Sequence, residues 1–157
     1  MVPARNRPQG ALPFVEAIRA GTMAGVAMIP FAAVFRARGL RINEYGRKTL
    51  ELVVGAVPSP LHEVLTLVEH LLVSWILALP AVPVLRRLPG RGTRLLGGAL
   101  YGGGLYVGLN SLALPFAFGD PTPWTLGWPT VAPSLVVHLV YGVVLGLAVR
   151  PTPAVGR

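Results

Sequence analysis

Hydrophobic and polar positions along this chain fall into long blocks. Four apolar stretches, at roughly 17–35, 61–85, 95–116 and 131–149, each approach the ~20 residues a helix needs to cross the hydrocarbon core of a bilayer. In lipid every backbone polar group must be satisfied within the protein, which leaves helices or closed barrels. The residue-by-residue alternation of a barrel strand is absent. The pattern therefore predicts an all-α integral membrane protein, a four-helix bundle forming one transmembrane domain over residues 1–157. The first stretch lies late, with Pro13, Glu16 and Arg19 at its start, and lacks a small-x-small cleavage site. It reads as a retained span rather than a signal peptide.

The connections set an orientation. RRLPGRGTR, Arg86–Arg94, holds four arginines, whereas AFGDPTPWTLGWPT, Ala117–Thr130, holds neither Lys nor Arg. Basic connections stay on the cytoplasmic side, so the first faces inward and both termini are expected in the cytoplasm of a bacterial cell. Trp124, Trp128, Phe116 and Phe118 then form an aromatic belt at the outer interface. The segment 36–60 runs against this. Arg36, Arg38, Arg41, Arg47 and Lys48 stand there against Glu44 and Glu51, on what four spans make the outer side. Leu50, Val53, Val54 and Val57 have helical spacing, which suits a short amphipathic helix at the membrane surface. A span count wrong by one near the N-terminus is the alternative.

Composition strengthens the membrane assignment. Hydrophobic residues make up 53% of the chain and charged residues 13%, about half the ~25% usual in soluble domains. Mean hydropathy is +0.61. The formal charge of +8 sits in short groups between apolar runs, without the basic stripe of a nucleic-acid surface, so no nucleic-acid partner is expected. The absence of cysteine excludes disulfides, thiolate metal sites and covalent c-type haem.

Two sets of residues stand out within the spans. Gly98/Gly102 and Gly104/Gly108 form small-xxx-small pairs in the third, and Gly21/Gly25 and Gly142/Gly146 repeat the pattern in the first and fourth. Helices in lipid associate through such close approaches. A tightly packed monomer and a homodimer using one glycine face are both open. The second set begins with HEVLTLVEHLLVSW, residues 62–75. At about 100° per residue, His62, Glu63, Thr66, Glu69, His70 and Ser74 fall within an arc of roughly 140°, which should turn toward the bundle. Glu69 lies deep enough to require a proton or a partner. Tyr106 and Asn110 on the third span, and Ser134, His138 and Tyr141 on the fourth, offer partners. The expected intramembrane polar cluster is Glu69, His70, Asn110, His138 and Tyr141. Its candidate roles are proton or small-solute handling, a purely architectural core, or metal or haem binding. No HExxH spacing, phosphate loop or nucleophile elbow occurs, so no catalytic residues, resident metal or cofactor are expected.

EHLLVSWILAL in the second span, LLGGAL opening the third, the outer loop with its prolines and tryptophans, and VVHLVYGVVLGL in the last resemble the YagU-like family of small bacterial inner-membrane proteins. The resemblance covers residues 61–150. It implies an inner-membrane location and several spans, brings no biochemical activity, and matches His70 and His138 to the family's intramembrane histidines.

Overall fold

The computed structural model describes residues 11–42, 45–55 and 58–151, and every regular element among them is helical. Helix α1 spans Ala11–Ala37, α2 Gly46–Val54 and α3 Ser59–Arg87. Helix α4, Gly90–Leu105, runs on without a break through a π-helical stretch, Tyr106–Ala113, into α5, Leu114–Phe118. A four-residue turn of helix, α6 (Pro123–Leu126), precedes α7, Trp128–Ala148. Local chemistry explains several boundaries. Prolines occupy the first turns of α3, α6 and α7, where a missing N–H costs nothing. Leu88 and Pro89 are extended and Gly90 has φ 74°, which turns the chain from α3 into α4.

Three helices, over Pro13–Ala37, Pro60–Arg87 and Trp128–Ala148, are long and apolar enough to cross a membrane. Their surfaces agree with that use. Phe14, Met23, Ile29, Leu72 and Ile76 are all exposed, an apolar exterior that a water-soluble fold would not present over so large an area. The expected third span differs from the other three. It is not one α-helix but the composite rod from Gly90 to Phe118, whose winding loosens midway. Pro115 lies just past the loosened turns and has no N–H to offer the turn before it. There the Leu114 N–H bonds to Leu109 O, five residues back.

Helix α7 packs against both α1 and α4, and α3 packs chiefly on α1. The core is built largely from small residues: Ala17, Ala20 and Ala24 of α1 join Ala78, Ala81 and Val82 of α3, together with Leu145 of α7 and Val149 just past its end. The α4–α7 contact is closer still. A Cβ added to Gly98 would lie 2.1 Å from Gly142 O, one on Gly102 2.2 Å from His138 O, and one on Gly146 2.2 Å from Arg94 O. Two backbones therefore touch with no side chain between them. Gly104 and Gly108, expected to share in helix packing, have nothing within 4 Å of an added Cβ. They belong to the opposite face of the rod, so only one of the two glycine pairs packs inside the bundle.

The two ends of the bundle differ in charge. Arg86, Arg87, Arg91 and Arg94 meet the start of α1 and the end of α7 at one end, called here the arginine end. The basic segment, α2, Asp120, Trp124 and Trp128 occupy the other, the tryptophan end. Within the basic segment the expected amphipathic helix is α2, with Leu50 buried but Val53 82% exposed; Val57 lies outside the described residues.

Gly142→Ala places a methyl group against the α4 backbone and is expected to cost about 1–3 kcal/mol or more. Gly104→Ala meets no atom and is expected to cause no loss, since alanine favours helix by up to ~1 kcal/mol. Thermal unfolding of both variants in mild detergent checks the pair.

Candidate functional site

The polar face of α3 is shared among several neighbours instead of forming one cluster. Near the tryptophan end, Glu69 turns away from α7 and toward α2. Its Oε1 accepts a hydrogen bond from Thr49 Oγ1 at 3.0 Å, and its Oε2 lies where a Cβ on Gly46 would fall, 2.6 Å away. Lys48 of the same short helix pairs with Asp120, Tyr45 stacks on Phe118 at 5.5 Å, and Glu51 Oε1 lies 3.8 Å from His62 Nε2. Glu69 is therefore an anchor for α2. The sequence pattern places Glu69 in the five-residue polar cluster, and the structure bonds it to Thr49 of α2 instead.

At the next position of α3, His70 Nε2 lies 3.1 Å from the carbonyl oxygen of Gly25 on α1. A carbonyl can only accept, so that nitrogen carries the proton. Ser74 Oγ donates to His70 O at 2.7 Å, and Tyr141 Oη on α7 donates to Ser74 O at 2.7 Å. Trp75 Nε1 donates to Thr22 Oγ1 at 2.8 Å, and Tyr101 Oη on α4 donates to Leu77 O. The last bond falls in the turn before Pro80, where the proline ring has already removed one backbone donor. All but the bond from Ser74 Oγ, which stays within α3, cross between helices, and most end on backbone carbonyls. In a helix bundle such bonds fix register, each contributing roughly 0.6–1.7 kcal/mol.

His138 stands apart from this arrangement. Its Nδ1 donates to Ser134 O, one turn earlier in α7, at 2.7 Å. Its ring lies 5.9 Å from that of Tyr106, centroid to centroid. Tyr106, Asn110 and Ser111 are all buried, and all three belong to the π-helical stretch. Tyr106 Oη and Ser111 Oγ are enclosed and find no hydrogen-bond partner among the described residues. Widened helical turns often occur where function needs a side chain re-aimed. The structure thus brings His138 to the π-helical stretch that carries Asn110, whereas His70 is committed to α1, Tyr141 to α3 and Glu69 to α2.

A further group drew no notice in the sequence beyond its place at the head of the first span. Arg19 donates to both carboxylate oxygens of Glu16, at 2.7 and 3.1 Å, and also to Ala148 O at the end of α7. Glu16 Oε1 in turn accepts from the Arg150 N–H at 2.8 Å. An ion pair on α1 therefore caps the last turn of α7, where a cation is favoured. The three-residue spacing of Glu16 and Arg19 marks an intrahelical pair, but nothing in the sequence indicates its target 129 residues away.

Among the described residues no group of three or more His, Cys, Asp or Glu side chains is arranged to hold a metal ion. Both intramembrane histidines give one ring proton to a carbonyl, leaving a single nitrogen on each. No family model, curated protein or solved structure matches the chain.

Tyr141→Phe removes one interhelical bond and is expected to lower stability by about 0.6 kcal/mol, and by no more than about 1.7 kcal/mol. Glu69→Ala is expected to leave the α3–α7 contacts intact and to loosen α2, read as faster proteolysis within residues 36–58. Unfolding in detergent and timed protease cleavage measure the two effects separately.

Proposed function

We propose that this chain is a four-span protein of the bacterial cytoplasmic membrane, in which the rod Gly90–Phe118 forms the third span. The arginine end, with both ends of the described chain, faces the cytoplasm. Its role is that of a structural or interaction subunit whose polar core holds the helices in register. The observation that carries this is where the polar bonds go: His70, Tyr101 and Tyr141 donate to backbone carbonyls of neighbouring helices, and Glu69 is bonded to α2. A groove between α1 and α3 is lined by Phe14, Ala17, Ile18, Leu72, Trp75 and Leu79, among others, and offers a polar solute no partner. The likeness of residues 61–150 to the YagU-like family belongs to the same proposal and supports the location.

A second role, proton or small-solute handling, has a narrower base than the five-residue cluster. It rests on His138, Tyr106 and Ser111, where two enclosed hydroxyls without partners stand in the helix facing an imidazole. Haem or metal binding has no comparable support.

Two measurements test these statements. The chain has no native cysteine, so single cysteines report their own side of the membrane. Thr125→Cys is expected to react with an impermeant maleimide on intact spheroplasts, and Thr93→Cys only after permeabilisation; the reverse pattern overturns the orientation. Vesicles containing the purified protein are expected to hold a pH gradient as long as protein-free vesicles do. A leak abolished by His138→Ala would instead establish the proton-handling role.

A further inference from the structure

We infer that the arginine end is a binding site for the phosphate group of an anionic phospholipid, held by arginines of the α3–α4 turn. Charge is distributed unequally between the two ends. The tryptophan end sets its basic segment against Glu51, Glu63, Glu69 and Asp120, and Lys48 is already paired with Asp120. At the arginine end the described residues include Arg19, Arg86, Arg87, Arg91, Arg94 and Arg150, but only one acidic side chain, Glu16. That carboxylate is occupied by Arg19 and by the Arg150 backbone. Residues 1–10 and 152–157 contain no Asp or Glu that could balance the rest.

Geometry brings four of these arginines together. Arg86 and Arg87 end α3, Arg91 and Arg94 lie in the opening turns of α4, and only Leu88, Pro89 and Gly90 separate the pairs. The α4 backbone at Arg94 is pinned against Gly146, so this corner is held by the bundle. The Nε atoms of Arg86 and Arg94 are enclosed and lack an acceptor among the described residues, while Arg87 and Arg91 are exposed. An enclosed guanidinium donor without an acceptor is costly, and a phosphate accepts from an arginine fork through two oxygens at once. A lipid headgroup delivers that phosphate at the depth where an α3–α4 turn emerges from a bilayer, and the cytoplasmic leaflet supplies anionic headgroups. The inference rests on the chain being a membrane protein with this end at a bilayer surface.

The test uses the full chain, purified in neutral detergent, stripped of native lipid and titrated with phosphatidylglycerol or phosphatidylcholine. Bound lipid is counted by native mass spectrometry. Phosphatidylglycerol is expected to be retained and phosphatidylcholine lost. Each arginine removed should weaken retention about fivefold, so Arg86→Gln/Arg94→Gln weakens it roughly 30-fold. The exposed pair Arg87→Gln/Arg91→Gln should lose retention in the same direction, which keeps the test decisive if the first pair fails to fold. Arg38→Gln/Arg41→Gln at the opposite end should have no effect. Equal retention of both lipids, or equal loss from variants at either end, overturns the inference, and so does displacement of the lipid by millimolar inorganic phosphate. Reconstitution into phosphatidylcholine nanodiscs separates two failures. A chain that does not insert refutes the membrane assignment itself, and one that inserts but ignores headgroup charge refutes only the lipid site.

Discussion

The contact on which the rest of the structure depends is the one between the backbones of α4 and α7. Gly98 and Gly102 lie against Gly142 and Gly146 so closely that a single methyl group on any of the four would overlap the facing chain. In a hydrocarbon solvent there is no gain from hiding apolar surface, so helices gain by bringing many atoms to van der Waals distance and by cancelling exposed dipoles. Glycine permits both. This approach also fixes the height of α4 against α7. It thereby decides that Tyr106 meets His138 and that the α3–α4 turn lies level with the end of α7.

With the helices set at those heights, the polar side chains take what is within reach. Ionisable and hydroxyl groups in a membrane helix are costly unless bonded, and the nearest acceptors on a neighbouring helix are often its carbonyls. His70, Tyr101 and Tyr141 illustrate this, each reaching a carbonyl on another helix. Glu69 is different because a carboxylate cannot donate to a carbonyl once ionised. It takes a donor instead, the Thr49 hydroxyl of the short helix α2. Helix α2 is thus explained from two directions: its own Leu50 is buried, and it satisfies an acid on α3 that the other spans cannot.

Much of the architecture was legible in the sequence because length and apolar continuity dominate in a membrane. Three expected spans appear within a few residues of their expected limits, and the small-xxx-small pairs of the third and fourth include the residues that meet. What was not legible came from pairing and from local winding. Helical spacing places Glu69 and His70 on one arc of α3 but cannot show that α2 folds back to claim the first and α1 the second. Glycine spacing is identical at Gly98/Gly102 and at Gly104/Gly108, and only the neighbouring helix distinguishes them. The π-helical stretch has no period of its own. Its one signal is Pro115, and a proline more often bends a helix than widens the turns before it. Ser111 went unnoticed for the same reason, because its place depends on the winding.

The clamp formed by Glu16, Arg19 and the end of α7 has a consequence in time as well as in space. Its two halves lie more than a hundred residues apart, so during synthesis the first helix leaves the ribosome long before the carbonyl of Ala148 exists. Until then Arg19 has partners only on its own helix, Glu16 and Met23, and the start of α1 is unsecured. Closure must await translation of α7, so the clamp forms only after the other described helices have been made. A chain cut just before Ala148 would keep the three long apolar helices and still lack the bond that joins α1 to α7.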